Sequence, residues 1–202
     1  MFTRRFADYR ANRYRSKGLD SSQLHLVHFL ESVGIEGRTV LEIGGGVGEL
    51  QLDLLSRGAA TATNVELVRS YDAPAAALAE ETGLSQQVHR LIGDVAVEPD
   101  LVAPADLVVL HRVVCCYPDV EGLLSAAGRL TRRALVLSHP PYSVAARGAT
   151  GLINLGQRVM GRQYRAFDHD PELMTAVLRE QGLTVSHRRR GLVWQVVGAV
   201  RA

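Results

Sequence analysis

The sequence predicts an α/β protein built on an open, mostly parallel β-sheet with helices on both faces. Short apolar runs typical of buried strands alternate along the chain with segments of helical periodicity, and glycines or capping residues separate them. The 202 residues, of which 47% are apolar and 22% charged, suit one globular domain with a substantial core. We therefore expect residues 1–202 to form a single domain.

Residues 1–34 precede the predicted sheet and are expected to form an arm followed by a helix. Residues 1–20 are strongly basic, and such a run usually remains solvated, with contact to an anionic ligand as the alternative. Its cations are Arg4, Arg5, Arg10, Arg13, Arg15 and Lys17. From Ser21 to Val33 the apolar residues recur at helical spacing, with Asp20 as a suitable cap and Gly34 as the stop.

Two strand–helix units follow. The first joins the strand TVLEI to the helix ELQLDLLSRGA, which stops at Gly58, with three consecutive glycines between them. The second joins the strand ATATNVEL to an alanine-rich helix that runs from Tyr71 to Glu81 and stops at Gly83. Alternation of this kind implies right-handed crossovers and parallel strands.

The rest of the chain continues the pattern and then departs from it. The third, fourth and fifth predicted strands are QVHRLIGDV, DLVVLHRVV and RALVLSHPP, with the helix DVEGLLSAAGRLTR before the fifth. Asp170 caps a helix that begins at Pro171. The last two runs, LTVSHRRR and LVWQVVGAV, are separated only by Gly191 and its neighbours, which predicts a hairpin and an antiparallel last strand. Residues 141–169 are too long for an ordinary connection and predict an inserted helical lid.

The glycines after the first strand indicate a ligand site. In open parallel sheets ligands bind beyond the carboxyl ends of the strands, and glycine there permits positive φ and close contact with the backbone. A dinucleotide fingerprint needs Gly-x-Gly-x-x-Gly, but position 49 is Glu49. The spacing is instead Gly-x-Gly-x-Gly, formed by Gly44, Gly46 and Gly48, which disfavours a dinucleotide.

This turn, preceded by Glu42, resembles the first motif of class I S-adenosylmethionine-dependent methyltransferases, in which it lies against the methionine part of the cofactor. Glu66, at the end of the second strand, falls where that family places an acidic residue on the ribose hydroxyls. Gly93-Asp94-Val95 resembles the family's adenine contact. The residues that the resemblance implies for S-adenosyl-L-methionine are Glu42, Gly44, Gly45, Gly46, Gly48, Glu66, Leu67, Gly93, Asp94, Val95, His111 and Arg112.

The same resemblance implies the Rossmann-like class I fold, with seven mostly parallel strands and an antiparallel last strand. Each signal also has a purely structural interpretation. Gly45 fits a simple turn residue, Glu66 a solvated strand end and Asp94 a helix cap. Their order at three successive strand ends favours the cofactor interpretation.

The end of the fourth strand borders the transferred methyl group in this fold, so acceptor chemistry is expected there. His111 is the leading candidate for a proton acceptor, because histidine titrates near neutrality, and contact with the cofactor is the alternative. Arg112 pairs with an anionic acceptor or is structural, and Tyr117 lines the acceptor pocket or belongs to the core. His139 is a secondary catalytic candidate. Ser138-His139-Pro140-Pro141-Tyr142 resembles the signature of amino-methylating enzymes, but it follows the wrong strand and begins with serine, so we reject that assignment.

A weaker likeness links the chain to the magnesium-protoporphyrin O-methyltransferase group. It rests on the basic arm, the segment after the fourth strand, the insertion after the fifth and the Trp194-Gln195 pair. The likeness implies that the arm folds over the cofactor, through Tyr14, Arg15 or Lys17, and that residues 141–169 roof the acceptor cavity. Four arginines of that roof fit an acidic or phenolic acceptor, or a solvated helix face: Arg147, Arg158, Arg162 and Arg165.

The leading functional hypothesis is a small-molecule methyltransferase that acts on oxygen. The alternatives are a nucleic-acid methyltransferase and a non-catalytic protein that binds the cofactor. A net charge of only +2 argues against nucleic acid as a partner. No ligand set for a metal is seen, and a homodimer is possible.

Composition also bears on the protein's surroundings. No segment reaches the roughly 18 uncharged apolar residues that span a bilayer, and no apolar signal segment is present at the N-terminus. We therefore expect a cytoplasmic protein with no membrane partner. The near-exclusive use of arginine over lysine indicates a bacterial gene of high GC content. Cys115 and Cys116 are adjacent, which strains a mutual disulfide, so we expect free buried thiols.

Overall fold

The computed structural model describes residues 3–98, 100–161 and 164–202, apart from the side chains of residues 144–146. Within these residues seven strands form one sheet: β1 Thr39–Ile43, β2 Thr61–Glu66, β3 Val88–Ile92, β4 Ala105–His111, β5 Thr131–His139, β6 Leu183–Arg189 and β7 Gln195–Arg201. Their order across the sheet is β3-β2-β1-β4-β5-β7-β6. The first five strands are parallel, and β7 pairs antiparallel with both β5 and β6. The predicted sheet and its antiparallel last strand are confirmed.

Helices follow the strands in the predicted alternation. They are α1 Arg4–Lys17, α2 Ser21–Val33, α3 Glu49–Ser56, α4 Asp72–Glu81, α5 Val120–Arg129, α6 Val144–Val159 and α7 Pro171–Glu180. Asp20 caps α2 in a capping box with Gln23, and Asp170 caps α7, which begins at Pro171. None of the helices in the described part of the chain has the length and apolar composition needed to cross a membrane.

Alternate residues of the buried strands point to opposite faces of the sheet, and helices cover both faces. In β4, Val108 and Leu110 contribute to one apolar core, whereas Leu107 and Val109 contribute to the other. The first core contains residues of α5 and α7, and the second contains residues of α2 and α3. The central strands are therefore mostly apolar, because both of their faces are covered.

The expectation that residues 1–20 form a solvated arm is wrong. Thr3 caps α1, and Ala7 and Ala11 on its inner face are buried at 0% and 1% exposure. They pack in one cluster with Val47 and Leu52, and the partly buried Tyr14 joins that cluster. Positions 7, 11 and 14 lie on one face of the helix, and this pattern is easily overlooked among the many charged residues of the segment. The helix α1 is therefore amphipathic and packs on the sheet domain through that face.

Candidate functional site

The glycine turn between β1 and α3 brings bare backbone to the carboxyl edge of the sheet. Gly44, Gly46 and Gly48 have φ values of 66°, 58° and 82°, which L side chains rarely adopt. A Cβ at Gly44 would lie 2.7 Å from Val113 Cγ2, whereas a Cβ at Gly46 would meet nothing nearer than the Tyr71 ring at 3.7 Å. The backbone at Gly46 is therefore open to a ligand.

Behind the turn lies a buried polar pair. Glu42 and its neighbour across the sheet, Asn64, are 2% and 0% exposed, and a Cβ at Gly45 would clash with both side chains. Gln51 N donates to the Glu42 carboxyl at 3.3 Å, while the Asn64 amide has no partner among the described residues. Burial, assisted by the nearby charge of Glu49, raises the pKa of Glu42 to about 8.

Glu66, at the end of β2, holds the glycine turn by accepting a hydrogen bond from its backbone. One carboxylate oxygen accepts from Gly46 N at 2.9 Å, and the other accepts from Leu67 N and Val68 N at 2.8 and 3.0 Å. A carboxylate offers about four acceptor sites, so capacity remains for a further donor. The side chain is buried rather than being a solvated strand end.

Asp94 follows β3 and faces the same space. One of its oxygens accepts from Ala96 N at 2.9 Å, as a cap would, and the other accepts from Tyr117 OH at 2.8 Å. Burial and the Asp94 carboxylate raise the pKa of Tyr117 to about 12, so this phenol stays a donor. The contact between Tyr117 and Asp94 joins the segment between β4 and α5 to the residues after β3, and no sequence pattern indicated it.

These residues line one cavity at the ends of β1, β2 and β3. Most of its lining is apolar. Its lining includes Gly44, Gly46, Glu66, Leu67, Gly93, Asp94, Val95, Arg112, Cys116 and Tyr117. Eight of the twelve residues predicted to bind the cofactor therefore line this cavity, whereas Glu42, Gly45, Gly48 and His111 do not.

A second cavity adjoins the first and shares Gly44, Gly46, Tyr71, Arg112 and Cys116 with it. Glu42, Gly45 and His111 also line it. Its cover comes from outside the core of the sheet, with Phe6 and Arg10 from α1, Tyr164 after α6, and Trp194 before β7. Arg10 Nη2 lies 2.9 Å from both oxygens of Glu49, which also accepts from Gln23. Gly48 lines neither cavity.

His111 and Arg112 end β4 at the boundary of the two cavities. His111 Nδ1 lies 2.9 Å from Ser138 Oγ, and Arg112 N donates to the same oxygen at 2.9 Å. Burial, and then the charge of Arg112, lower the pKa of His111 to about 3, so the ring is neutral at physiological pH. Its Nε2 atom is buried without a partner among the described residues.

Arg112 connects distant parts of the chain. It is the one described residue other than glycine with positive φ, at 60°, a conformation that costs on the order of 1 kcal/mol. Its guanidinium donates to Asp20 at 2.8 Å and to Ser22 at 3.0 Å, and lies 4.8 Å from the centre of the Trp194 ring. It therefore holds the start of α2 and the loop before β7 against the cleft, by which we mean the two adjoining cavities together.

Several predicted residues lie elsewhere. His139 bonds through Nδ1 to Pro140 O at 2.7 Å and lines neither cavity, because it faces the space between β7 and the start of α7. Arg15 pairs with Glu81 on α4, and neither it nor Tyr14 or Lys17 lines the cleft. The arginines Arg147, Arg158 and Arg165 do not line it either, and Arg162 lies outside the described residues.

The residues of α1 that do face the cleft, Phe6 and Arg10, were missed. The signal that could have found them is the Ala7-Ala11-Tyr14 stripe, which fixes the orientation of the helix. Cys115 and Cys116 are free thiols with their Sγ atoms 3.7 Å apart, and Cys116 lies at the junction of the two cavities.

The chain matches no protein-family model and no curated protein. Solved structures do resemble it. Magnesium protoporphyrin IX methyltransferase from Synechocystis, with bound SAH, superposes with a TM-score of 0.71 at 20% identity, covering 95% of this chain and 94% of the other. An O-methyltransferase family protein from Burkholderia thailandensis gives a TM-score of 0.73 at 17% identity, covering 98% of this chain and 58% of the other.

Human N-acetylserotonin methyltransferase in complex with SAM gives a TM-score of 0.66 at 17% identity, covering 98% of this chain and 55% of the other. The strand order, the antiparallel last strand and the glycine turn agree with these likenesses. The fold of this chain is that of the class I S-adenosylmethionine-dependent methyltransferases.

Proposed function

We propose that this chain is an S-adenosyl-L-methionine-dependent methyltransferase whose acceptor is a small molecule, with oxygen as the accepting atom. One observation carries the proposal: the open backbone at Gly46, the buried carboxylate of Glu66 and the carboxylate of Asp94 line a single cavity at three successive strand ends. The preference for oxygen is supported by solved structures of similar fold that are named as O-methyltransferases.

The lining supports a definite orientation for the cofactor. Its adenine would lie beside Asp94, Val95 and Leu67, its ribose at Glu66, and its methionine part over the turn from Gly44 to Gly46, in reach of the second cavity. Glu66 has acceptor capacity left for a hydroxyl, and Gly46 has no side chain to obstruct the ligand. When bound, the cofactor supplies an electrophilic methyl group on a sulfonium.

The second cavity is the proposed acceptor site. Aromatic rings of Phe6, Tyr71, Tyr164 and Trp194 line it, and its two arginines, Arg10 and Arg112, are each paired with a carboxylate. Such a lining suits an apolar, flat acceptor more than a polyanion, which also argues against nucleic acid. The chain's contribution to the reaction is to hold the acceptor near the turn and to keep water away.

His111 acts in this proposal as a hydrogen-bond donor rather than as a base. Ser138 Oγ accepts from Arg112 N and lies 2.9 Å from His111 Nδ1, and we assign the Ser138 hydroxyl as the donor to Nδ1, which places the ring proton on Nε2. That N–H points to a buried position with no partner among the described residues. A ring that stays neutral orients the acceptor oxygen without removing its proton.

The test compares two glycines that both have positive φ. Gly46 and Gly83 have φ values of 58° and 71°, but a Cβ at Gly83 meets nothing within 4 Å and that residue lies outside both cavities. We expect Gly46→Leu to abolish binding of S-adenosylmethionine in calorimetry, because the new side chain occupies the cavity. Gly83→Leu should keep wild-type affinity, although both variants lose about 1–2 kcal/mol of stability to backbone strain.

Equal affinity in the two variants would dismiss the site. Turnover is tested separately, by measuring SAH formation with a panel of phenols and carboxylic acids. Cofactor binding without turnover on any of them, or turnover with RNA or DNA alone, would contradict the small-molecule assignment.

A further inference from the structure

The helix α6, Val144–Val159, is amphipathic, but its polar face is turned toward the protein and its apolar face toward solvent. Its partly buried face carries Thr150, Asn154 and Gln157, at spacings of four and three residues. Its opposite face is apolar and exposed, and the exposures of Leu152, Leu155 and Val159 are 73%, 59% and 80%. Ile153 and Met160 extend this surface, at 50% and 55% exposure. Helices on globular proteins normally turn the apolar face inward.

The orientation of α6 is fixed by hydrogen bonds on its polar side. Asn154 Nδ2 donates to Ala166 O, and Ala166 N donates to Asn154 Oδ1, both at 2.8 Å. The neighbouring Phe167 N donates to Cys115 O at 2.8 Å, which ties the segment to the connection that follows β4. Rolling the apolar face inward would break the Asn154 pair and leave its groups unpaired. The apolar face is therefore held outward, where it is exposed to solvent.

The charges around α6 indicate which kind of partner would suit its exposed apolar face. Residues 140–167 contain no Asp or Glu, whereas Arg147, Arg158, Arg162 and Arg165 all lie in that stretch. Arg147 and Arg158 are exposed. A helix with a broad apolar face, arginines beside it and no acidic residue is suited to lie in the headgroup region of an anionic bilayer.

From this we propose that the outer face of α6 docks on an anionic lipid membrane surface. The proposal is independent of the methyltransferase function. The earlier expectation of no membrane partner considered only segments that cross a bilayer, and a 16-residue helix, about 24 Å long, lies on a membrane rather than spanning it. A second copy of the chain is a poorer occupant, because a two-fold contact through this face brings its arginines near their own symmetry mates.

Docking here would place the lipid surface near the second cavity. Tyr164, which lines that cavity, is two residues from Ala166, the partner of Asn154. An apolar acceptor dissolved in the bilayer would then have a short route to the cleft.

The experiment is co-sedimentation of the full-length protein with vesicles of phosphatidylcholine, with and without phosphatidylglycerol. We expect binding to the anionic vesicles that weakens as salt is raised. The triple variant Leu152→Ser, Leu155→Ser, Val159→Ser should lower the partition constant at least about tenfold. The double variant Arg147→Gln, Arg158→Gln should lower it by about fivefold per arginine on anionic vesicles only.

The matched control is Leu192→Ser, Val193→Ser, which removes two residues that are 99% and 66% exposed in the loop before β7. It should leave binding unchanged. The proposal is overturned if wild-type protein binds neither vesicle, if the control variant loses as much binding as the α6 variant, or if sedimentation velocity shows a dimer that the α6 substitutions dissociate. Thermal unfolding of each variant verifies that it is folded.

Discussion

Glu42 is buried near the end of β1, and burial raises its pKa to about 8. Its contribution to the free energy of unfolding therefore depends on pH. In the unfolded chain the carboxyl ionises near its ordinary value of 4.5, whereas in the folded protein it stays protonated up to about pH 8. Because the raised pKa favours the folded state only while the group is protonated, this contribution is complete below pH 4.5 and is lost as pH rises to about 8.

We predict that Glu42→Gln removes this dependence. Relative to the variant, the wild type should lose stability as pH rises from 5 to 8, at a slope approaching roughly 1.4 kcal/mol per pH unit. Urea unfolding at several pH values measures the difference, with the exposed Glu98→Gln as the control. Parallel stability curves for wild type and Glu42→Gln would mean that Glu42 is already ionised in the folded protein.

His111 gives the second prediction at this scale. With its pKa lowered to about 3 by burial, the ring gains no proton between pH 5 and 8, so kcat/KM should show no inflection from His111 in that range. A base of ordinary pKa would instead lower the rate about tenfold per unit below pH 6.5.

Substitutions at His111 distinguish a hydrogen-bond donor from a general base. His111→Gln keeps an N–H donor and should retain more activity than His111→Ala, which we expect to lose roughly ten- to a hundredfold. The same lowered pKa removes stability as pH falls from 6.5 toward 3, since the unfolded ring takes up its proton first. The exposed His89→Gln is the control, and equal loss in the Gln and Ala variants would argue against donation.

At the scale of elements, α1 is attached to the sheet domain by one buried ion pair. The side chains of Arg10 and Glu49 are 15% and 7% exposed, and burial raises the pKa of Glu49 while Arg10 lowers it. The pair joins the N-terminal helix to the first residue of α3, directly after the glycine turn.

We expect Arg10→Met to cost about 3 kcal/mol of unfolding free energy, because it leaves Glu49 buried and unpaired. Adding Glu49→Gln should restore part of that loss. Arg4 makes a similar pair with Asp8, but at 60% and 47% exposure, so Arg4→Met should cost less than about 0.5 kcal/mol. Similar losses at Arg4 and Arg10 in urea unfolding would show that α1 is not held by this pair.

At the scale of the whole molecule, the cleft is assembled from distant parts of the chain. The first cavity uses the ends of β1, β2 and β3, and the second is covered by α1, by Tyr164 and by Trp194. A ligand that fills both contacts both ends of the chain and should stabilise it as one unit.

We predict that SAH at about one hundred times its Kd stabilises the protein by roughly 2.7 kcal/mol. For a chain of this length that corresponds to a rise in Tm of about 5–10 °C. Scanning calorimetry measures it, and Gly46→Leu should show no rise. A ligand-independent Tm in the wild type would contradict cofactor binding in this cleft.

The order of strands and helices was predictable from the sequence because burial on both faces forces continuous apolar runs, and because the chain needs glycine or a cap at each change of direction. The glycine turn with Glu66 and Asp94 was predictable for a related reason. Parallel strands bring their carboxyl ends to one edge, so residues at equivalent ends converge whatever their separation in sequence.

What only the tertiary structure decided depends on contacts between distant segments. The charge of residues 1–20 concealed a helix that covers the cleft with Phe6 and Arg10, and the outward apolar face of α6 became visible only once Asn154 was seen to face inward. His111 and His139 look alike in sequence, yet one lines the cleft and the other does not. Sequence spacing fixes which residues share a strand end or a helix face, but the side chains that meet across elements are chosen by packing of the whole chain.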